Sequence, residues 1–256
     1  MKDKSFTDEL VTRFKKNIYG SRKGEIRFAI LWDYLIKNML PPSGTNPMQI
    51  LDAGCGLGQI ASRLLEQGHH VTLCDSSSEM LEQASIGLPV QVRDRARWIH
   101  APIQELPDRV EHPYDLLLCH AVLEWMSDPA PAVASLARLA KAGTRLSLMF
   151  YNGDALVFRN LIRGNWRKVQ SGKLGGEPGG LTPINPLKLS DVVSWLQEYD
   201  FEIQDSLGLR TFFDYLPKSL QQERELADIL ELEAQLSRIS PYREMARYIH
   251  IDAVKR

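Results

Sequence analysis

Two strand ends constrain this chain more than any other feature of it. Ile50-Leu51-Asp52-Ala53 is an apolar run that carries an acid, and Gly54-Cys55-Gly56-Leu57-Gly58 follows at once. Val71-Thr72-Leu73-Cys74-Asp75 is a second such run, and its acid comes 21 positions after Gly54. Short apolar runs suit strands covered on both faces, so the pair predicts a parallel sheet between helical layers. Glycines in the first turn let a ligand press against bare backbone at a helix N-terminus. An acid at the tip of the neighbouring strand can accept both hydroxyl hydrogens of a ribose.

The details select among ribose ligands. A dinucleotide site uses Gly-x-Gly-x-x-Gly and seats a pyrophosphate on the helix N-terminus. Here the third glycine comes one residue early, at Gly58, and Gln59 follows. Asp52 precedes the glycines, where it would repel a pyrophosphate. S-adenosylmethionine suits the pattern better, having an ammonium, a sulfonium and a ribose but no phosphate. On this reading Asp52, Gly54, Cys55 and Gly56 face its methionine end and Asp75 its ribose. A tight turn with no ligand is the plainer alternative for the glycines taken alone.

From Met48 to Tyr151 the chain resembles the class I, Rossmann-like methyltransferases. Ile50 to Gly58 resembles their first motif, and Asp75 their ribose acid. Ala101-Pro102-Ile103-Gln104 resembles the adenine-contacting turn, which implies contacts from Ile103 and Gln104. Tyr114 to Trp125 resembles the fourth strand with its functional loop. Ala140-Lys141-Ala142-Gly143 before Arg145-Leu146-Ser147-Leu148 resembles the turn into the fifth strand, with Ala142 where proline is common.

Strands are predicted at Met48 to Ala53, Val71 to Asp75, Arg97 to Ala101, Asp115 to His120, Arg145 to Tyr151, Phe201 to Leu209 and Arg247 to Ala253. Helices are predicted at Gln59 to Gln67, Ser78 to Ala84 and Ala130 to Leu139, with a long amphipathic one from Pro217 to Ser240. Gly172 to Pro186 reads as a loop. The expected fold is α/β: a Rossmann-like, doubly wound, mostly parallel seven-stranded sheet with helices on both faces. A single methyltransferase domain would span 1–256. It divides into an N-terminal helical cap (1–47), a cofactor-binding core (48–151), a basic insertion after strand five (152–190) and the C-terminal part of the sheet (191–256).

Composition narrows the class. At 44% hydrophobic and 25% charged the chain has the make-up of a globular protein. No apolar run reaches 18 residues, which argues against a membrane partner, and the N-terminus lacks the apolar core of a signal peptide. Cys55, Cys74 and Cys119 lack Cys-x-x-Cys spacing and read as buried thiols in a cytoplasmic protein. The six histidines are scattered, so no metal site is expected.

The net charge is −1, yet two segments outside the common core are strongly basic. Arg13, Lys15, Lys16, Arg22, Lys23 and Arg27 face one acid, Glu25. Arg159, Arg163, Arg167, Lys168 and Lys173 face none between Ala155 and Gly176. One helix would align Arg159, Arg163 and Arg167, with Phe158 and Trp166 among them. Two basic segments in a neutral chain suit a polyanion, with Lys15, Lys16, Arg22, Lys23, Arg159, Arg163, Arg167 and Lys168 as RNA contacts. A solvated basic face is the plainer alternative.

These decorations carry a closer likeness. Asn17-Ile18-Tyr19-Gly20, Lys23-Gly24, Arg27 and Ala29-Ile30-Leu31-Trp32 resemble the bacterial tRNA 5-carboxymethoxyuridine methyltransferase family. So do His120 to Trp125, Leu146 to Asn152 and Arg247-Tyr248-Ile249-His250. The resemblance implies methylation of the carboxylate of 5-carboxymethoxyuridine at the tRNA wobble position, position 34, giving 5-methoxycarbonylmethoxyuridine. An ionised carboxylate attacks a sulfonium methyl directly, so no strong base, metal or covalent intermediate is required. Arg27 is then the expected fork for the methionine carboxylate, and His120 lines the cofactor. Tyr19, Tyr151 and Asn152 are candidates for positioning the acceptor. Glu124 either binds a substrate group or caps a helix, and Trp32 and Trp125 read as core. Two alternatives stay open: a methyltransferase for a small or carrier-bound carboxylate, and a non-catalytic S-adenosylmethionine-binding RNA chaperone.

Overall fold

The computed structural model describes residues 20–42, 44–110, 113–176 and 180–256. Tyr19, Lys15 and Lys16 lie outside the described residues. The five strands of the core are β1 (Gln49–Ala53), β2 (His70–Asp75), β3 (Ala96–His100), β4 (Leu116–His120) and β5 (Arg145–Tyr151). Two more, β6 (Phe201–Leu209) and β7 (Tyr248–Lys255), complete a seven-stranded sheet of order β3-β2-β1-β4-β5-β7-β6. Only β7 runs antiparallel to its neighbours. Almost every residue of β1 and β4 is buried, as strands covered on both faces demand.

Helices cover both faces. On one side α1 (Arg22–Tyr34), α2 (Gln59–Glu66) and α3 (Ser78–Gly87) bury Ile26, Leu31, Leu64, Leu65 and Leu81. On the other, α4 (Ala130–Leu139) and α7 (Leu189–Glu198) bury Val133, Leu136, Val192 and Leu196. Side-chain caps set the starts of several helices. Ser21 accepts from the Gly24 amide, Ser77 from that of Met80 and Asn152 from that of Asp154.

Two helical expectations are corrected. The segment carrying Arg159, Arg163 and Arg167 is not one helix. It is α5 (Gly153–Ile162) followed by α6 (Trp166–Gln170), because Gly164 adopts φ +73° and ends the first helix. Arg167 therefore leaves the face that carries Arg159. The predicted helix over 217–240 is also two, α8 (Lys218–Glu223) and α9 (Leu226–Leu236). Arg224 and Glu225 between them are extended, with ψ near 142°. The break lets α9 turn Ile229 and Glu233 inward, and α9 packs on α1.

Glu233 explains why that turn is kept. Its carboxylate accepts from the Thr211 amide and hydroxyl at 2.6 and 2.8 Å, and from the Phe212 and Phe213 amides at 3.3 and 3.0 Å. It thereby holds the tight turn after β6. Replacing Glu233 by Ala should leave three amides without their acceptor and lower stability by about 2–4 kcal/mol. Urea denaturation would show this as a lower midpoint, with Glu233→Gln in between; an unchanged midpoint would mean that these bonds do not hold the turn.

Candidate active site

The sheet reverses its winding between β1 and β4, and a cleft of about 400 Å³ opens at the carboxyl ends of these strands. Its floor is the glycine turn. Gly54 has φ +81°, and a Cβ there would meet a Val122 methyl at 2.4 Å. Only glycine fits both demands. The amides of Gly54 and Cys55 donate to the Cys74 carbonyl at 2.8 and 2.9 Å, tying the turn to β2. Asp75 closes the tie, because its two oxygens accept from the Gly56 and Ser77 amides, each at 2.9 Å. Each oxygen keeps lone-pair capacity for a further donor. Burial raises the Asp75 pKa, against the pull of those amides.

Asp52 lines the same cleft and is 4% exposed. Burial, with Asp75 nearby, pushes its pKa up to about 7. An acid so placed gains most from a cationic ligand group. Burial also raises the thiols: all three cysteines are buried and form no disulfide, and Cys55 lies in the wall of the cleft. Ile103 and Gln104 form another wall, with the Gln104 amide on Met126 Sδ at 3.8 Å.

His120 ends β4 in the cleft, and its Nε2 sits 2.7 Å from Ser147 Oγ. Ser147 Oγ lies equally close to Nε2 of His250 on β7. One hydroxyl has a single proton, so Ser147 donates to one ring and accepts from the other. Burial, then the charge of Arg27, lowers the His120 pKa to about 3. Burial also drives that of His250 well down. Both rings are neutral at pH 7, which suits a wall facing a cation and rules out a charged imidazole there.

Above the cleft α1 contributes Arg27, Phe28 and Leu31. Arg27 is buried, with its guanidinium 5.4 Å from the Tyr248 ring centre and Nη1 3.4 Å from Tyr248 Oη. Glu124 is 1% exposed, and neither carboxyl oxygen has a well-formed hydrogen bond among the described residues. Burial, only partly offset by amides and by Arg27, pushes its pKa up to about 8, so it is mainly uncharged at pH 7.

The structure thus gathers Arg27, Asp52, Gly54, Cys55, Gly56, Asp75, Ile103, Gln104 and His120 around one cleft. Trp125, read from the sequence as core, is instead in the cleft wall, its indole N–H on the Ala121 carbonyl at 3.0 Å. Phe28, Met80 and Met149 also line it; nothing in the sequence marks them, because their apolar spacing reads the same in a core face. Tyr151 lies outside the cleft wall, its hydroxyl accepting from Arg247 Nη1 at 2.8 Å. Asn152 is fully engaged in structure: its amide donates to the Glu244 and Ala246 carbonyls and its oxygen caps α5. Arg22 is drawn inward too, donating to the Gln221 carbonyl at 2.5 Å.

The residues present fit S-adenosylmethionine. A glycine cradle without room for a Cβ, a raised buried acid and a second acid with spare lone pairs match its polar groups. The fold and this cleft define an S-adenosylmethionine-dependent methyltransferase. The methyltransferase-domain family matches residues 51–146. The magnesium protoporphyrin IX methyltransferase of Synechocystis PCC 6803, solved with bound SAH, superposes with a TM-score of 0.59. It shares 16% identity over 98% of this chain and 96% of its own, a likeness of fold. An Escherichia coli K12 protein named tRNA 5-carboxymethoxyuridine methyltransferase is 39% identical over 256 residues, all of this chain and 97% of its own length. A ubiquinone biosynthesis O-methyltransferase of Xylella fastidiosa is 30% identical over 70% of this chain and 69% of its own. The chain belongs to the tRNA 5-carboxymethoxyuridine methyltransferase family.

If Asp52 meets the ammonium of the cofactor, binding must release its proton below pH 7. Cofactor affinity should then rise about fivefold from pH 6 to pH 7, as the ionised fraction grows. Titration calorimetry in buffers of different ionisation heat would detect the released proton. Asp52→Asn should bind more weakly and without that pH dependence; a dependence that survives the change would exclude Asp52.

Proposed function

We propose that this enzyme methylates the carboxylate of 5-carboxymethoxyuridine at the wobble position of tRNA, giving the methyl ester, 5-methoxycarbonylmethoxyuridine, in the cytoplasm. The observation that carries the reading is the extent of the 39% identity, which runs through the N-terminal and basic segments as well as the cofactor core. Similarity to the Xylella fastidiosa O-methyltransferase covers only 70% of the chain.

In this reading Asp75 holds the ribose, Asp52 the ammonium, Arg27 the methionine carboxylate, and Ile103 with Gln104 the adenine. The bound cofactor supplies a methyl on a cationic sulfur, which an ionised carboxylate takes directly. The protein need supply no strong base, and neutral His120 offers none. Its contribution is to orient the acceptor and exclude water. Phe28 and Leu31 of α1 and Trp125 give the cleft an apolar cover. Outside it, Arg163, Arg167 and Lys168 are exposed on α5 and α6 beside Trp166, which is 63% exposed. Cations interleaved with an exposed aromatic suit a backbone of phosphates with accessible bases.

The product distinguishes this reading from its rivals. Labelled cofactor incubated with tRNA from cells lacking the enzyme should deposit label that mild alkali releases as methanol. Alkali-stable label would end the carboxylate assignment, and label confined to small molecules would end the tRNA assignment. RNA contacts are tested separately by changing Arg163, Arg167 and Lys168 together to Ala. The slope of log affinity against log salt should shrink by about two to three units, at roughly 0.7–0.9 for each phosphate no longer neutralised. Cofactor affinity should not change.

A further inference from the structure

Beyond Tyr151 the structure assembles a group of cations that the cofactor cleft does not use. Asp214, in the turn after β6, is their common partner. Lys23 Nζ lies 3.2 Å and Arg247 Nη2 3.6 Å from its Oδ1, and Arg210 Nε donates to Oδ2 at 2.7 Å. These cations hold the Asp214 carboxyl far below the usual carboxylate range despite its burial. Arg159 of α5 lies alongside, because the preceding Phe158 meets the Tyr215 ring edge-on at 5.4 Å and the Tyr215 hydroxyl donates to the Ala155 carbonyl at 3.5 Å. Its Nε is buried and has no hydrogen-bond partner among the described residues. Arg247 meanwhile lies over the Tyr151 ring, 5.2 Å from its centre.

The group is out of balance. Lys23, Arg210 and Arg247 converge on one carboxylate, and no acid pairs with Arg159 beside them among the described residues. The Arg145 pair shows the contrast: one cation meets one acid, Asp252, which also accepts from Tyr34. Surplus positive charge in a half-buried setting is unfavourable unless an anion joins it. Burial lowers the pKa of Lys23 and of Arg159, and neighbouring guanidinium groups add to the lowering. The outer side is open, since the Lys23 side chain is 37% exposed and that of Arg159 is partly so.

We propose that Lys23, Arg159 and Arg247, held in place by Asp214, form an oxyanion subsite for the acceptor nucleotide. The proposal rests on the tRNA reading above and names how that substrate is gripped. Such a nucleotide carries two oxyanions, its carboxylate and the adjoining phosphate, and both suit guanidinium forks backed by an ammonium. Position supports the role. Tyr248 meets Arg27 of the cofactor cleft and also stacks edge-on with Tyr151 at 5.4 Å, so the two sites are neighbours across a pair of rings. Both lie at the carboxyl edge of the sheet, where doubly wound folds bind ligands.

The test uses the full-length enzyme and two fluorescent anticodon stem-loops, one with 5-carboxymethoxyuridine and one with plain uridine. Changing Lys23 and Arg159 together to Ala should leave the enzyme folded and able to bind the cofactor, since α1 stays tied by Tyr34 to Asp252. It should weaken binding of the modified RNA about ten- to hundredfold. A loss confined to the modified RNA assigns the carboxylate, and an equal loss on both assigns the phosphate. A folded double variant that binds both RNAs as the wild type does overturns the subsite. If the double variant does not fold, Lys23→Gln and Arg159→Gln are measured singly by the same criteria. If the wild type binds neither RNA, the tRNA reading itself falls. The subsite is then judged by melting temperature in inorganic phosphate or acetate at fixed ionic strength. A rise seen only in the wild type supports it, and equal behaviour of wild type and variant overturns it.

Discussion

The contact on which this structure turns is the approach of Gly54 to Val122. Gly54 follows β1 and Val122 follows β4, the two parallel strands between which the winding of the sheet reverses. A Cβ on Gly54 would lie 2.4 Å from a Val122 methyl, so the two loops close on each other only through bare backbone. That closeness shapes the cleft. It lets Cys74 bind two amides of the turn, and it leaves Asp75 to fix Gly56 and Ser77 on its two oxygens. In the proposed reading the ribose acid, Asp75, is thus also the clamp of the glycine turn. A carboxylate already oriented by backbone amides loses little freedom when a diol arrives, which is the advantage of preorganisation.

A second chain of dependence runs from the far end of the molecule. Glu233 on α9 fixes the turn at 211–213. The turn sets Asp214, and Asp214 collects Lys23 of α1, Arg210 after β6 and Arg247 before β7. Arg247 in turn grips the Tyr151 hydroxyl at the end of β5. α1 is tied down again where Tyr34 donates to Asp252 on β7. The helix that roofs the cofactor cleft is therefore held by the C-terminal third of the chain. A cofactor site built from residues 27–149 depends on partners beyond 200.

Much of this was legible in the sequence, and the exceptions have physical causes. The strands of the core show as apolar runs because both their faces are covered. The glycine turn and its two acids show because backbone freedom and charge are local properties. Lys23 and Arg159 stand out in the sequence as basic residues, but their gathering with Arg247 around Asp214 does not show, since the four are far apart in the chain and meet only in the fold. Asn152 sits in a stretch that looks functional, yet its amide is spent on the Glu244 and Ala246 carbonyls and on capping α5. The break at Arg224–Glu225 has neither glycine nor proline to announce it. It follows from the need of the 211–213 amides for the Glu233 carboxylate, a tertiary demand that periodicity does not register. The break at Gly164 is different: its glycine was in plain view and was overridden by the regular spacing of three arginines.

The distribution of charge suits the chemistry proposed. Methyl transfer from a sulfonium to a carboxylate joins a cation to an anion and leaves a thioether and an ester, both neutral. Water solvates the separated charges better than the products, so a dry, uncharged centre favours the transfer. The cleft has that character in the middle and the opposite character at its ends. Asp52 and Asp75 stand on the cofactor side, and the surplus cations around Asp214 lie beyond Tyr248 and Tyr151. Between them His120 of the cleft wall is neutral, as is His250 behind it across Ser147. Burial thus keeps His120 uncharged in the cleft wall, where a fixed cation would oppose the sulfonium. Asp52 gains its full charge as a cation arrives, and the cations around Asp214 sit where they can draw in an anion.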